Sequence, residues 1–374
     1  MKFSVSSKTL YAFASAVSKV INAKNPMAIL NNFLFTLEGD TLTVKAADME
    51  NSLVGRLNVT EAQGDGSFCL DARRIVELLK ELPDQGILFE IKEETLEVKI
   101  SYSNGVYNTM AISGAEYPGE KPEENGIKET FVAGTADVIH GIENTLFAVS
   151  TDEIRPQMMG ILWDVRPDSV IFVSTDTRKL VKYTNSAIKP GVTCSFILPV
   201  KGATVLKNVF SKEDEIKITV SPTAVLFESE SFTFGCRLIK GNFPPYDRVI
   251  PSTNSYILTV DRLSLLTAVR RVAVFGDEGG GLIRMRLSAN SVELNACDNS
   301  FGTFGKEEVP CDYTGKELTI GFGSQYLVEI LSTLSTPDVV IKLADPSRPA
   351  LFLPGENDPE SELLMILMPM NIVD

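Results

Sequence analysis

One order of elements recurs three times along this 374-residue chain, which restricts it to folds assembled from a repeated unit. Phe3-Ser-Val-Ser-Ser-Lys-Thr-Leu10 returns as Phe131-Val-Ala-Gly-Thr-Ala-Asp-Val138 and as Ile257-Leu-Thr-Val-Asp-Arg-Leu-Ser264, each a strand-like start running into a helical stretch. A second landmark keeps step: Leu42 to Asp48, Val170 to Asp176 and Val292 to Asp298 are alternating strands that each close on an aspartate. Spacings of 128 and 126 residues between the starts are the length of a domain, well above the roughly 20 to 50 residues of solenoid repeats.

The order continues past the aspartates. Helical apolar spacing covers Ala72 to Leu82, Gly202 to Phe210 and Ser324 to Leu334. Hairpin patterns follow, Ile87 to Ile91 with Leu96 to Ile100 and Ile216 to Val220 with Val225 to Phe227. Glu116-Tyr-Pro-Gly and Asn242-Phe-Pro-Pro then stop the last strands, because proline cannot donate to a sheet ladder. Linkers rich in Pro, Gly and Glu (Pro118 to Ile127) or in proline (Phe243 to Asn254) separate the copies. The expected architecture is α+β: three tandem domains at 1–123, 128–250 and 254–374, mostly antiparallel strand with two helices apiece.

An apolar fraction of 44% supports substantial cores. No run reaches the ~18 to 20 apolar residues of a membrane span, and the N-terminus lacks the pattern of a signal peptide. Cys69, Cys194, Cys236, Cys297 and Cys311 are scattered over the copies without Cys-x-x-Cys spacing, the pattern of free thiols in a reducing cytoplasm.

Net charge is −14, which alone argues against a polyanion partner. Its distribution argues otherwise. The six helical stretches sum to +6, with Lys8, Lys19 and Lys24 in the first and Lys201, Lys207 and Lys212 in the fourth, leaving −20 for strands and loops.

Catalytic chemistry finds little purchase, and no cofactor or metal is expected. His140, the one histidine, sits in an amphipathic helical stretch without a nucleophile motif beside it. Asp48, Asp176 and Asp298 occupy matching positions in separate copies, so each is expected to serve a local turn rather than a shared metal. Asp277-Glu-Gly-Gly-Gly281 lacks the Lys-Ser/Thr ending of a phosphate loop.

Specific segments carry a family resemblance. Met1-Lys-Phe-Ser-Val, Asn25-Pro-Met-Ala-Ile-Leu-Asn-Asn32, Ser174-Thr-Asp-Thr-Arg-Lys-Leu180, Asn242-Phe-Pro-Pro-Tyr-Asp-Arg-Val-Ile-Pro251 and Leu367-Met-Pro-Met-Asn-Ile372 together resemble the bacterial sliding clamps, the beta subunits of DNA polymerase III. The resemblance spans all three copies in order. Three departures stand out: Thr175-Asp-Thr-Arg-Lys-Leu180 replaces the family's usual Thr-Asp-Gly-His-Arg-Leu, Val373-Asp374 extend the end, and Ser347 to Glu362 is longer and more polar than usual.

The resemblance implies a homodimer of three-domain chains joined head to tail into a closed six-domain ring, sheets outside and helices lining the hole. It implies a processivity factor without enzymatic activity that encircles double-stranded DNA, meeting phosphates without reading bases. Lys24, Arg73, Arg74, Lys80, Arg155 and Lys201 match or lie near DNA-facing positions. A groove between the second and third domains would take peptides from the replicative polymerase, the clamp loader, repair polymerases and other clamp-motif proteins. Its residues carry over as Met158, Thr175, Arg178, Lys179, Leu180, Pro244, Arg248, Val249, Tyr326, Ile366, Met368, Pro369 and Met370. The dimer contact is expected at Tyr107 and Thr109 on one side and Val274 and Phe275 on the other.

Overall fold

In a computed structural model, residues 1–22, 24–119, 128–277 and 281–372 are described. Val373 and Asp374, Pro118-to-Ile127 from residue 120 on, and residues 278–280 of the glycine-rich turn lie outside them. Among the described residues six α-helices form: α1 (Ser7–Val17), α2 (Ala72–Glu81), α3 (Thr135–Thr145), α4 (Val200–Val209), α5 (Arg262–Ala273) and α6 (Ser324–Thr333). Side-chain caps start several of them. Ser6 Oγ accepts from Thr9 N, Asp71 Oδ1 from Arg74 N at 2.8 Å and Asp261 Oδ1 from Ser264 N at 2.7 Å, each satisfying an orphan first-turn donor.

The first helical stretch is shorter than the expected span to Lys24. Ser18 Oγ turns back onto Ser15 O at 2.8 Å and a single tight turn, Ser18–Val20, follows; hydroxyl groups compete with the helix ladder in this way. The third copy also begins one residue later than its sequence pairing. Phe3, Phe131 and Leu258 are the equivalent buried positions, whereas Ile257 is 38% exposed, and strands flip faces with every one-residue shift.

The chain divides into two compact units, Met1–Ala136 with Lys201–Leu238, and Asp137–Val200 with Ile239–Asp374. These do not follow the repeats, because backbone pairing joins strands of neighbouring copies. In the first unit a nine-stranded antiparallel sheet draws five strands from copy one and four from copy two, meeting where Asn51–Asn58 pairs with Phe232–Arg237. In the second unit another nine-stranded sheet takes four from copy two and five from copy three, meeting where Lys179–Asn185 pairs with Ser361–Leu367. Each unit has a smaller sheet as well. Copy one supplies five strands ending at the edge strand Gly105–Met110, and copy three supplies four ending at the edge strand Thr303–Pro310.

Alternating strands bury one face against the helices. Phe3 stacks on Phe89 with centroids 4.9 Å apart, and fully buried Trp163 lies 4.6 Å from Phe172 and 5.2 Å from Phe196. Gly141 in α3 makes room for that cluster, since a Cβ there would stand 2.5 Å from the Phe172 ring. All five cysteines are free, and burial pushes the Cys69 and Cys236 thiols up to about 12. Such thiols stay protonated and inert.

Candidate functional site

An apolar cluster lies on the second unit's nine-stranded sheet. Register sets Leu180 opposite Ile366 and Lys179 opposite Leu367. Leu180 and Ile366 join Leu162, Ile171, Val173, Ile197, Leu351 and Tyr246 in one buried cluster, with Phe243, Ile250 and Leu364 packed against it while remaining partly open. The segment after Asn242 crosses this surface: Tyr246 donates its hydroxyl to Asp164 Oδ2 at 2.7 Å, and Lys182 Nζ sits 5.6 Å from the Tyr246 ring. Burial, then the Asp164 hydrogen bond, raise the Tyr246 pKa, so the phenol keeps its proton and its anchor. Arg248 and Val249 stand exposed beyond it and Pro244 is half-buried.

Past the strand end the backbone stays pinned. Met368 N donates to Arg178 O and Met370 N to Gly321 O, both at 2.8 Å. Met368 is 40% exposed, while Pro369, Met370 and Tyr326 are half-buried. Gly323 is required here. A Cβ on it would stand 2.8 Å from the Tyr326 ring and 3.6 Å from the Met370 sulfur.

The floor is held by a buried ion cluster. Asp176 Oδ1 accepts from Arg178 N and Lys179 N, both at 2.8 Å, closing the turn that begins at buried Thr175. Lys179, 5% exposed, reaches Asp176 Oδ2 at 2.7 Å and Glu329 Oε2 at 2.9 Å, with its ammonium 4.7 Å from the Tyr326 ring. Burial alone would lower the lysine pKa, but Asp176 and Glu329 outweigh it and raise it. The charge is therefore retained, and it ties the turn to α6 and its aromatic side chain. Thr177 in this turn adopts φ +76°, a left-handed conformation costly for a β-branched residue.

Three family models match the chain in order: the DNA polymerase III beta subunit N-terminal domain over residues 1–120, the central domain over 134–245 and the C-terminal domain over 247–371. The chain belongs to the bacterial beta sliding clamp family. The beta sliding clamp of Pseudomonas putida is 28% identical over 100% of both chains, and that of Pseudomonas aeruginosa 27% identical over the same share. Among solved structures, the P. aeruginosa clamp with ligand is 26% identical with TM-score 0.92, and the P. aeruginosa clamp bound to griselimycin is 27% identical with TM-score 0.93. Both cover 100% of each chain.

The structure sorts the residues expected from the clamp resemblance. Leu180 and Ile366 join the apolar cluster; Arg178, Arg248, Val249 and Met368 are exposed; Thr175 and Lys179 are buried in the turn and strand start that lead to Leu180, and Met158 is buried. Sequence reasoning missed Leu162, Ile171 and Val173, which lie on strands buried on both faces so that the pattern does not say which side chains share a face, and Tyr246, which lies in the short turn after the paired prolines.

Of the basic residues, Lys24, Arg74 and Lys80 are exposed, Arg73 is exposed and bonded to Glu77 at 2.8 Å, and Arg155 is exposed and held by Asp152 at 2.9 Å. Lys201 differs. Its ammonium donates to Val20 O and Asn22 Oδ1, both at 2.6 Å, and to the buried Asp48 carboxylate, so all three N–H groups are engaged.

On the edge strand Gly105–Met110, Tyr107 is 44% exposed and Thr109 sits beside it, while just past α5 Val274 is 77% exposed and Phe275 44%, its carbonyl accepting from Thr303 of the edge strand Thr303–Pro310. Val106, Met110, Phe301 and Phe304 are also exposed there and were not foreseen. No cluster of metal-ligating residues occurs among the described residues, and His140 is exposed with Nδ1 3.2 Å from the Tyr183 hydroxyl.

Proposed function

We propose that two copies close head to tail into a ring around duplex DNA, forming a non-catalytic processivity clamp that tethers its polymerase. One observation carries this reading. Two nine-stranded sheets are complete within the chain, and the leftover sheets of five and four strands end in exposed edges. Joined between copies they make a third sheet of nine, its central pair formed by strands equivalent to the two central pairs already closed. Extending the existing register sets Phe301 opposite Thr109 of the second copy, Thr303 opposite Tyr107 and Phe304 opposite Val106. Unpaired edge strands invite association, and this pairing covers the exposed apolar side chains Val106, Tyr107 and Phe304 on them.

Within such a ring the exposed cations Lys24, Arg74, Lys80 and Arg155 meet phosphates without reading bases. Weak, mobile contacts suffice, because topology rather than affinity prevents escape. The apolar surface around Leu180 and Ile366, rimmed by Arg178, Arg248, Val249 and Met368, takes a short apolar peptide from the polymerase or the clamp loader, oriented by the rim. The place of action is the cytoplasm, and no described helix is long and apolar enough to cross a membrane.

Protein loaded on nicked circular DNA should remain bound in salt that strips ordinary phosphate binders and leave when the circle is cut. Dissociation from closed circles with a counterion-release slope would overturn the ring reading.

A further inference from the structure

Each repeat closes one hairpin with an aspartate in the same role. Asp48 Oδ1 accepts from Glu50 N and Asn51 N, Asp176 Oδ1 from Arg178 N and Lys179 N, and Asp298 Oδ1 from Ser300 N and Phe301 N. Two equivalent positions then recur around each aspartate: the third residue after it, and the second residue of the second helix in the following repeat. At Asp48 these are Asn51 and Lys201, and both side chains donate to its carboxylate. At Asp176 they are Lys179, whose ammonium binds Asp176, and Gln325, whose amide donates to Glu329, the second carboxylate that Lys179 reaches. Each of these two junctions holds one cation and one amide, and in each the cation binds the aspartate.

The third junction is incomplete. Asp298 is only 8% exposed, yet among the described residues its carboxylate meets backbone N–H groups and no lysine or arginine. Its own-repeat position is Phe301, 81% exposed. In the head-to-tail ring the repeat that follows is the first of a second copy, where the matching position is Arg73, the second residue of α2. That side chain is 86% exposed. It gives Nε to Glu77, and its two terminal nitrogens have no partner among the described residues.

We propose that Arg73 of one copy pairs with Asp298 of the other, supplying the cation that the first two junctions obtain from Lys201 and Lys179. The inference rests on the head-to-tail ring, and it places Arg73 at the ring interface rather than on the DNA. Carboxylates buried on association without a cation are costly, and a guanidinium with free terminal N–H groups suits a two-point contact.

Sedimentation over a dilution series of the full chain measures the dimer dissociation constant, with circular dichroism checking that each variant folds. Arg73→Gln and Asp298→Asn should each raise it at least about tenfold, and the double variant no further than the worse single within about threefold. Arg73→Lys, which keeps the cation and leaves the Asp298 turn untouched, should raise it less than Arg73→Gln does. Multiplicative losses in the double variant, or no effect of Arg73→Gln or Asp298→Asn, overturn the pairing. Phe304→Asp separates the two readings. If it abolishes the dimer while the charge variants do nothing, the ring stands and the pairing falls. If the unaltered chain is monomeric at every concentration, the ring reading falls and takes the pairing with it.

Discussion

The two nine-stranded sheets share one backbone plan and differ in what they present on the outer face. In the second unit Leu162, Ile171, Val173, Leu180 and Ile197 form the apolar cluster. The residues 128 positions earlier are Leu34, Thr43, Lys45, Ser52 and Cys69, so three of five are polar. Across the central strand pair the contrast sharpens: Leu180 faces Ile366, whereas Ser52 faces Gly235. On that side of the first unit, among the described residues, Leu30, Cys69 and Tyr117 form a small cluster with Ile29, Leu34, Ala47 and Ile112 packed against it. Duplicating a sheet thus duplicates a shelf, and only side-chain replacement turns one of the two into an apolar site.

The junction cations differ in the same spirit. Lys179 is 5% exposed and bridges two carboxylates, whereas the Lys201 side chain is 31% exposed beside Asp48 at 3%. Lys179→Met strands two carboxylates and should cost about 4 kcal/mol, with Lys201→Met nearer 2 kcal/mol; urea unfolding that ranks them the other way would break the comparison. Making the second unit resemble the first, Leu180→Ser should cost about 3 kcal/mol and weaken an apolar clamp-motif peptide more than about tenfold by anisotropy. Ser52→Ala in the first unit should stay within about 0.5 kcal/mol.

A gain in stability is expected at one of the turns. Thr177 occupies φ +76°, while its counterpart Met49 stays out of the left-handed region. Thr177→Gly should therefore stabilise the fold by about 1 kcal/mol in thermal melts, and Met49→Gly should not.

The pH responses of the two junctions should oppose each other. For Asp48, burial would raise the pKa, but the Lys201 and backbone hydrogen bonds outweigh it and lower it below the ordinary 3.8. Its contribution is complete above 3.8 and lost as pH falls through the lowered value, so Asp48→Asn should flatten the acid limb of stability. Lys179 is raised above its ordinary 10.5, so its contribution is complete below that pH and lost as pH rises through the folded value. Lys179→Met should flatten the alkaline limb instead.

Much of this was legible in the residues. Repeat spacing located three copies, helical periodicity located all six helices, and the equivalence of Asp48, Asp176 and Asp298 marked them as turn residues, the role in which all three accept backbone N–H groups. Local chemistry suffices for such features, since caps, turns and amphipathic faces depend on neighbours within a few residues. The resemblance placed Leu180 and Ile366, which then proved to face each other across the strand pair.

Long-range pairing was not legible. Nothing in the order of residues says that copy two gives half its strands to each unit, because a sheet's hydrogen bonds are made by backbone groups that every residue carries. Nor could the sequence separate Lys201 from Lys24: both are lysines near a helix end, and only the fold brings Val20, Asn22 and Asp48 around one of them. The identity of each side chain was written in the chain; whether its charge faces solvent or is consumed inside was decided by which distant carboxylate the tertiary structure delivers to it.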